Sequence, residues 1–208
     1  MADYITQTSE TQAAITPQAA LDMLKEGNAR FLDKKRIERN YLEQVAVTAT
    51  QQSPFAAILS CIDSRVPAEI VFDQGIGDIF SARVAGNFIN TDILGSIEYA
   101  CKVAGSKAVV VLGHSGCGAV KGACDHVELG NITPMLDNLM PAVDAVEETG
   151  DRSSNNADFV QRVVEKNVHL NIQGILERSE VLKEMYDNNE ITIVGAVYDV
   201  ASGKVSFL

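Results

Sequence analysis

Residues 55–65 read Phe55-Ala56-Ala57-Ile58-Leu59-Ser60-Cys61-Ile62-Asp63-Ser64-Arg65. The apolar part shows no polar alternation, which is the pattern of a strand covered on both faces, as in a parallel sheet. Similar runs occur at 79–84, 107–112 and 191–198. Between the second and third, Leu94, Ile97, Cys101 and Ala104 recur at helical spacing and Gly105 stops them, which predicts a helix over 91–104. Strand, helix and strand in that order make a βαβ unit. The expected fold is α/β, a mostly parallel central β-sheet flanked by helices, with ligands bound at the carboxyl ends of the strands.

Upstream of this sheet, Thr16-Pro17 suits a helix start. Leu21, Leu24, Asn28 and Phe31 then place one face of a helix over 17–33 against an apolar partner. A shorter helix is expected over 41–49, and the residues ahead of Thr16 are expected to form a loose polar arm. Downstream, Thr133-Pro134 opens a helix carrying Leu136, Leu139, Met140, Val143 and Val146, and a polar loop spans 147–156. A long helix is expected over 157–178, and Ser202-Gly203 turns the chain into a last strand, 205–208. No repeat or linker divides the chain. Residues 1–50 are read as an N-terminal helical extension and 51–208 as the α/β domain, together one structural unit.

Composition narrows the function. The 208 residues carry 17 Lys and Arg against 28 Asp and Glu, a formal charge of −11 that repels phosphate backbones and argues against nucleic acid. No apolar stretch approaches the ~20 residues that span a bilayer. Met1-Ala2-Asp3-Tyr4 begins no basic, apolar leader, so a cytoplasmic protein is expected. The four cysteines, at 61, 101, 117 and 124, are too few and too central for a disulfide-stapled scaffold.

Two segments carry chemistry. After the first strand, Cys61, Asp63 and Arg65 alternate and share a face in extended chain. After the third, Gly113-His114-Ser115-Gly116-Cys117-Gly118 makes a tight turn in which an imidazole and a thiol reach one point. Cys61, His114 and Cys117 together offer three protein ligands and one open position, the arrangement of catalytic zinc, and two thiolates with an imidazole favour that metal over magnesium or calcium. Taken singly, each has a plainer reading: a core cysteine, or a hydrogen-bonding histidine in a glycine-rich loop. A phosphate loop is disfavoured because the segment lacks the Gly-Lys-[Ser/Thr] ending. Cys101, Cys124, His126 and His169 read as structural or solvent-facing.

The two segments together resemble the β-class carbonic anhydrases: Cys61-x-Asp63-x-Arg65 with His114-x-x-Cys117, supported by Ser64-Arg65-Val66-Pro67-Ala68-Glu69, Gly77-Asp78-Ile79-Phe80, Gly95-Ser96-Ile97-Glu98-Tyr99-Ala100 and Val111-Leu112-Gly113-His114-Ser115. The resemblance runs from about Leu24 to Tyr198. It implies one Zn2+ per chain on Cys61, His114 and Cys117, which lowers the pKa of a bound water toward neutrality so that hydroxide attacks CO2 and gives bicarbonate. Asp63 and Arg65 are implied as the catalytic dyad, the carboxylate accepting the hydroxide's proton and the guanidinium holding it ionised. Gln52 matches a plant-like branch of the family, whose pocket implies Gln52, Phe80, Ala85, Tyr99 and Gly118 for substrate. Ile58 stands where another branch carries a tryptophan, and Val84 replaces an asparagine common in relatives. A homodimer or homotetramer is implied, clasped by the N-terminal helices. Hydrolysis of carbonyl sulfide or carbon disulfide on the same scaffold is the alternative activity, and a non-enzymatic zinc or anion-binding protein a further one.

Overall fold

In the computed structural model, which describes residues 6–208, five strands form one sheet. They are β1 (Ala56–Ser60), β2 (Ile79–Arg83), β3 (Ala108–His114), β4 (Thr192–Tyr198) and β5 (Val205–Phe207). Helices α1 (Ser9–Ala14), α2 (Pro17–Leu32) and α3 (Tyr41–Thr48) precede the sheet, and α4 (Ala68–Val71) links β1 to β2. After β2 comes α5 (Thr91–Glu98), which widens into a π-helical turn, Tyr99–Val103. The β3-to-β4 connection carries α6 (Gly118–Cys124), α7 (Ile132–Leu136), α8 (Met140–Ala145), α9 (Ala157–Arg178) and α10 (Glu180–Asp187).

The strand order is β2-β1-β3-β4-β5, with β1 to β4 mutually parallel and β5 antiparallel to β4. The chain leaves β1 toward one edge of the sheet and leaves β3 toward the other. The carboxyl ends of these two central strands therefore flank a crevice, the place where open α/β sheets bind ligands.

Every residue of β1 and β3 is buried, which accounts for their unbroken apolar runs. Ile58, Val110 and Leu112 face a layer containing Ala20 and Leu24 of α2, and Leu59, Val109 and Val111 face Val168 and Ile175 of α9. The apolar stripe of α2 is thus covered by the chain's own sheet. Asn28, on the same stripe, is buried because its amide donates to the Val71 and Gly203 carbonyls, each at 3.0 Å, and accepts from the Val205 N–H at 2.9 Å. No described helix is long and apolar enough to cross a membrane.

Local structure departs from expectation at three places. From Ser9 onward the polar segment before Thr16 is not loose: Thr8 and Thr11 form a reciprocal cap, and Gln12 is buried, donating to the Pro54 and Ala104 carbonyls at 2.7 and 2.8 Å. Six residues show no apolar period, and the anchor is a polar side chain. Met1 to Tyr4 lie outside the described residues. The single helix expected after Thr133 is two, because Pro141 has no N–H to donate and can only enter at the first turn of α8. The helix expected over 91–104 changes pitch at Tyr99, whose carbonyl accepts from the Ala104 N–H at 2.9 Å. The short helices α4 and α10 carry too few turns to stand out from the pattern.

Candidate metal centre

Cys61 directly follows β1, His114 ends β3, and Cys117 lies one turn further on, past Gly116, whose φ of +64° suits a residue without Cβ. Neighbouring parallel strands bring these residues together at the crevice. One ligand atom from each of Cys61, His114 and Cys117 lies within 4.8 Å of the others, and all three residues are buried. The two sulfurs are 3.9 Å apart.

His114 is already set in one tautomer. Its Nδ1 lies 3.0 Å from the Ser115 carbonyl oxygen, which can only accept, so Nδ1 is the donor there and Nε2 is the nitrogen left for a ligand. Nε2 is buried with no hydrogen-bond partner. A buried lone pair facing two buried thiols is a donor set suited to a zinc ion, with the Nδ1–H to carbonyl bond orienting the imidazole.

Charge is focused on the same point. Cys117 beside it, with further help from His114 and the Gly86 N–H, holds the Cys61 thiol down to about 4 against the opposing effect of burial. The Cys117 thiol is pushed up by its bond to Cys61 and by burial. A divalent cation replaces the proton such a pair shares. The other thiols differ: burial pushes Cys101 up to about 12 and raises Cys124, so both stay protonated, and His126 and His169 are exposed.

Asp63 stands beside the cluster, its Oδ2 3.9 Å from His114 Nε2. Arg65 grips both carboxylate oxygens, Nε donating to Oδ1 at 2.9 Å and a terminal nitrogen to Oδ2 at 2.7 Å, and its backbone N–H adds a bond to Oδ1 at 2.9 Å. The Arg65 side chain, against some desolvation, holds the Asp63 carboxyl far below the usual carboxylate range.

Several supporting groups escaped the sequence reading. Arg83 donates to the Cys61 carbonyl at 2.9 Å and to the Asp63 carbonyl at 2.7 Å, clamping the segment that carries ligand and dyad. The Gly86 N–H donates to Cys61 Sγ at 3.3 Å. Ser115 Oγ donates to Asp199 at 3.1 Å and accepts from the Val200 N–H at 3.0 Å, fixing the ligand turn to the end of β4. Arg83 could be suspected only once β2 is known to pair with β1, which sets it opposite Ser60.

The expected substrate residues fall in two groups. Ala85 is half-buried one residue before Gly86, and Gly118 is exposed next to Cys117. Phe80 and Tyr99 meet edge to face, with ring centroids 6.1 Å apart, and line an open cavity of about 680 Å³. Tyr99 and Gln52 line another hollow. Neither cavity is lined by Cys61, His114 or Cys117, and Phe80 pairs with Ala57, four residues before Cys61.

A buried Cys-His-Cys set with an ionised carboxylate beside it, at the switch point of a parallel sheet, defines a metal-site α/β protein of the zinc type. The family model described as "Carbonic anhydrase" matches residues 56–205. The chain belongs to that family, in its β class, and the family's members are zinc lyases. It is 37% identical over 194 residues to "Carbonic anhydrase 2" of Mycobacterium tuberculosis, covering 90% of this chain and 91% of that protein. A carbonic anhydrase of Mycolicibacterium smegmatis is 35% identical over 91% of this chain and 92% of its own. Among solved structures, the β-carbonic anhydrase CafA of Aspergillus fumigatus superposes with a TM-score of 0.70 at 27% identity, covering 92% of this chain and 89% of that one. One of two tetrameric β-carbonic anhydrases of Sordaria macrospora gives 0.66 at 26% identity, over 81% of this chain and 85% of its own.

Proposed function

We propose that the chain catalyses the reversible hydration of CO2 to bicarbonate and a proton, with one Zn2+ held by Cys61, His114 and Cys117. The observation that carries this reading is the ligand cluster, its donor atoms within 4.8 Å of one another, with the Asp63 carboxylate 3.9 Å from His114 Nε2. Bound there, zinc supplies the Lewis acidity that makes water a nucleophile near neutral pH.

The protein's own groups do the rest. Asp63 is ionised and can only accept, so it takes the remaining proton of the attacking oxygen in a hydrogen bond and aims the lone pair at carbon. Arg65 keeps that carboxylate charged and fixes its orientation by holding both oxygens. Ala85 and Gly118 leave room beside the ligands for a small linear molecule.

Gln52, Phe80 and Tyr99 are assigned to the site of a second copy. The cavity lined by Phe80 and Tyr99, with the hollow of Gln52 on the other side of Tyr99, is roomier than a triatomic gas requires and open, as expected of a half-pocket that a partner surface completes. The outer side of α3 supports such a contact, exposing Tyr41, Leu42, Val45 and Val47, with Leu42 82% exposed. Residues 1–50 would then serve as the dimer-clasping arm of the catalytic domain 51–208, in a homodimer or a homotetramer. Four unpaired thiols fit a cytoplasmic, reducing setting, and the −11 charge fits a partner list without nucleic acid.

Zinc content and stopped-flow CO2 hydration test the reading together. Stoichiometric zinc with hydration well above buffer is expected; a zinc-loaded protein no faster than buffer overturns it. Turnover on carbonyl sulfide and carbon disulfide, measured alongside, separates hydrolysis of those molecules from CO2 hydration.

A further inference from the structure

We infer that Asn167, acting through the backbone of Gly86, is the positioning residue that holds the Cys61 sulfur in place for the metal. Cys61 Sγ receives a hydrogen bond from the Gly86 N–H at 3.3 Å, besides the Asp63 backbone of its own segment. Gly86 lies at φ +83°, and a Cβ there would meet Leu139 Cδ1 at 2.7 Å, so the loop admits glycine and little else. Glycine is also the residue whose backbone turns most freely. Its N–H stays on the sulfur only if the rest of the residue is fastened.

The fastening comes from α9. Asn167 is 2% exposed and its Nδ2 donates to the Gly86 carbonyl at 2.8 Å. The orientation of that amide is decided by its neighbour one turn on: Asn171 Nδ2 donates to Asn167 Oδ1 at 2.9 Å and to the Asn167 carbonyl at 2.8 Å. Oδ1 must therefore face Asn171, which leaves Nδ2 facing Gly86. Asn171 Oδ1 in turn accepts from the Ile89 N–H at 2.7 Å. Two successive turns of one long helix thus grip both ends of residues 86–89. The helix itself is fixed to the sheet by Val163, Val168 and Ile175, all fully buried.

The chemical effect follows from hydrogen bonding to sulfur. An N–H pointed at a thiolate stabilises its charge and orients its lone pairs, and groups in this supporting position change metal affinity by about 10- to 100-fold when removed. Asn167→Ala frees the Gly86 carbonyl, and Asn167→Asp keeps the volume while replacing the donor with an acceptor.

The inference rests on the proposed zinc site, and the test reads metal binding rather than turnover. Zinc affinity is measured by chelator competition on the full chain, and the thiolate-to-metal charge-transfer band is recorded on the Co2+-substituted protein. Both variants are expected to lose about 10-fold or more in zinc affinity. Their cobalt band should move to longer wavelength, because a thiolate that has lost the Gly86 N–H bond is more electron-rich. Ser106→Ala serves as the stability control: it removes a buried bond, to the Pro54 carbonyl at 2.9 Å, at the opposite end of β3, and should change neither reading. Wild-type affinity and band position in both Asn167 variants overturn the inference while leaving the zinc site intact. A wild-type chain that binds neither metal overturns both.

Discussion

Arg65 and Asp63 meet as a fork on a carboxylate, two residues apart in sequence, with side-chain contacts of 2.9 and 2.7 Å that occupy both acid oxygens. The contact fixes the carboxylate's charge and its distance from His114, and so sets what it can do. Asp63→Asn is expected to retain full zinc stoichiometry, since Asp63 lies outside the ligand cluster, yet to lose about 100-fold or more in CO2 hydration. Full activity in that variant would remove Asp63 from the mechanism.

Cys61→Ser replaces a soft, buried thiolate by a hydroxyl that binds zinc weakly. Zinc per chain, read by atomic absorption after dialysis against chelator, should fall well below that of the wild type. Cys124→Ser, at a thiol outside the cluster, should leave it unchanged.

Asp73 tests the fold at the opposite pole of charge burial. Its side chain is 1% exposed and carries Arg30 and Arg39, each at 2.7 Å. Burial raises its carboxyl, but the two guanidiniums and the Ile37 N–H outweigh burial and hold it below its ordinary value. The unfolded chain binds that proton more readily, so the stabilisation is present above about pH 4 and is lost as pH falls through the folded-state value. Asp73→Asn removes a charge that both Arg30 and the buried Arg39 engage and should cost about 3 kcal/mol in urea unfolding at pH 7. The gap between wild type and variant should close as pH drops below about 4; a gap independent of pH contradicts the assignment.

Gly27 tests how α2 docks. A Cβ at this position would sit 1.8 Å from the Phe72 carbonyl oxygen, and backbone cannot swing aside as a side chain does. Gly27→Ala should lower the unfolding free energy by about 1–3 kcal/mol, read as a lower urea midpoint, despite alanine's better helix propensity. An unchanged or raised midpoint would show that α2 can shift freely on the sheet.

The zinc-ligand spacing was legible in the sequence because each half lies within a few residues: Cys61-x-Asp63-x-Arg65 on one strand end, His114-x-x-Cys117 on one turn. Gln52, Phe80 and Tyr99 came only through family likeness, and the hollows they line do not include the ligand cluster. Arg83 and Gly86 lie in a segment that family likeness drew attention to only for Val84, and neither their roles nor Asn167 could be read from the sequence. Arg83 and Asn167 donate to backbone carbonyls, and Gly86 gives a backbone N–H, so no side-chain pairing pattern marks them.

By itself the sequence determined the strand runs of β1 and β3, the bounds of α9 and the Cys-His-Cys set that could hold a metal. Those features follow from short-range periodicity and chain geometry, which act within a few residues. Tertiary structure alone decided the strand order that puts Cys61 beside His114, the docking of α1 by the buried Gln12, and the break in the helix after Thr133. It also decided the tautomer of His114 and the hold of α9 on the Cys61 loop. Each depends on hydrogen bonds or packing between segments distant in sequence, and these take definite geometry only when the sheet has closed around them.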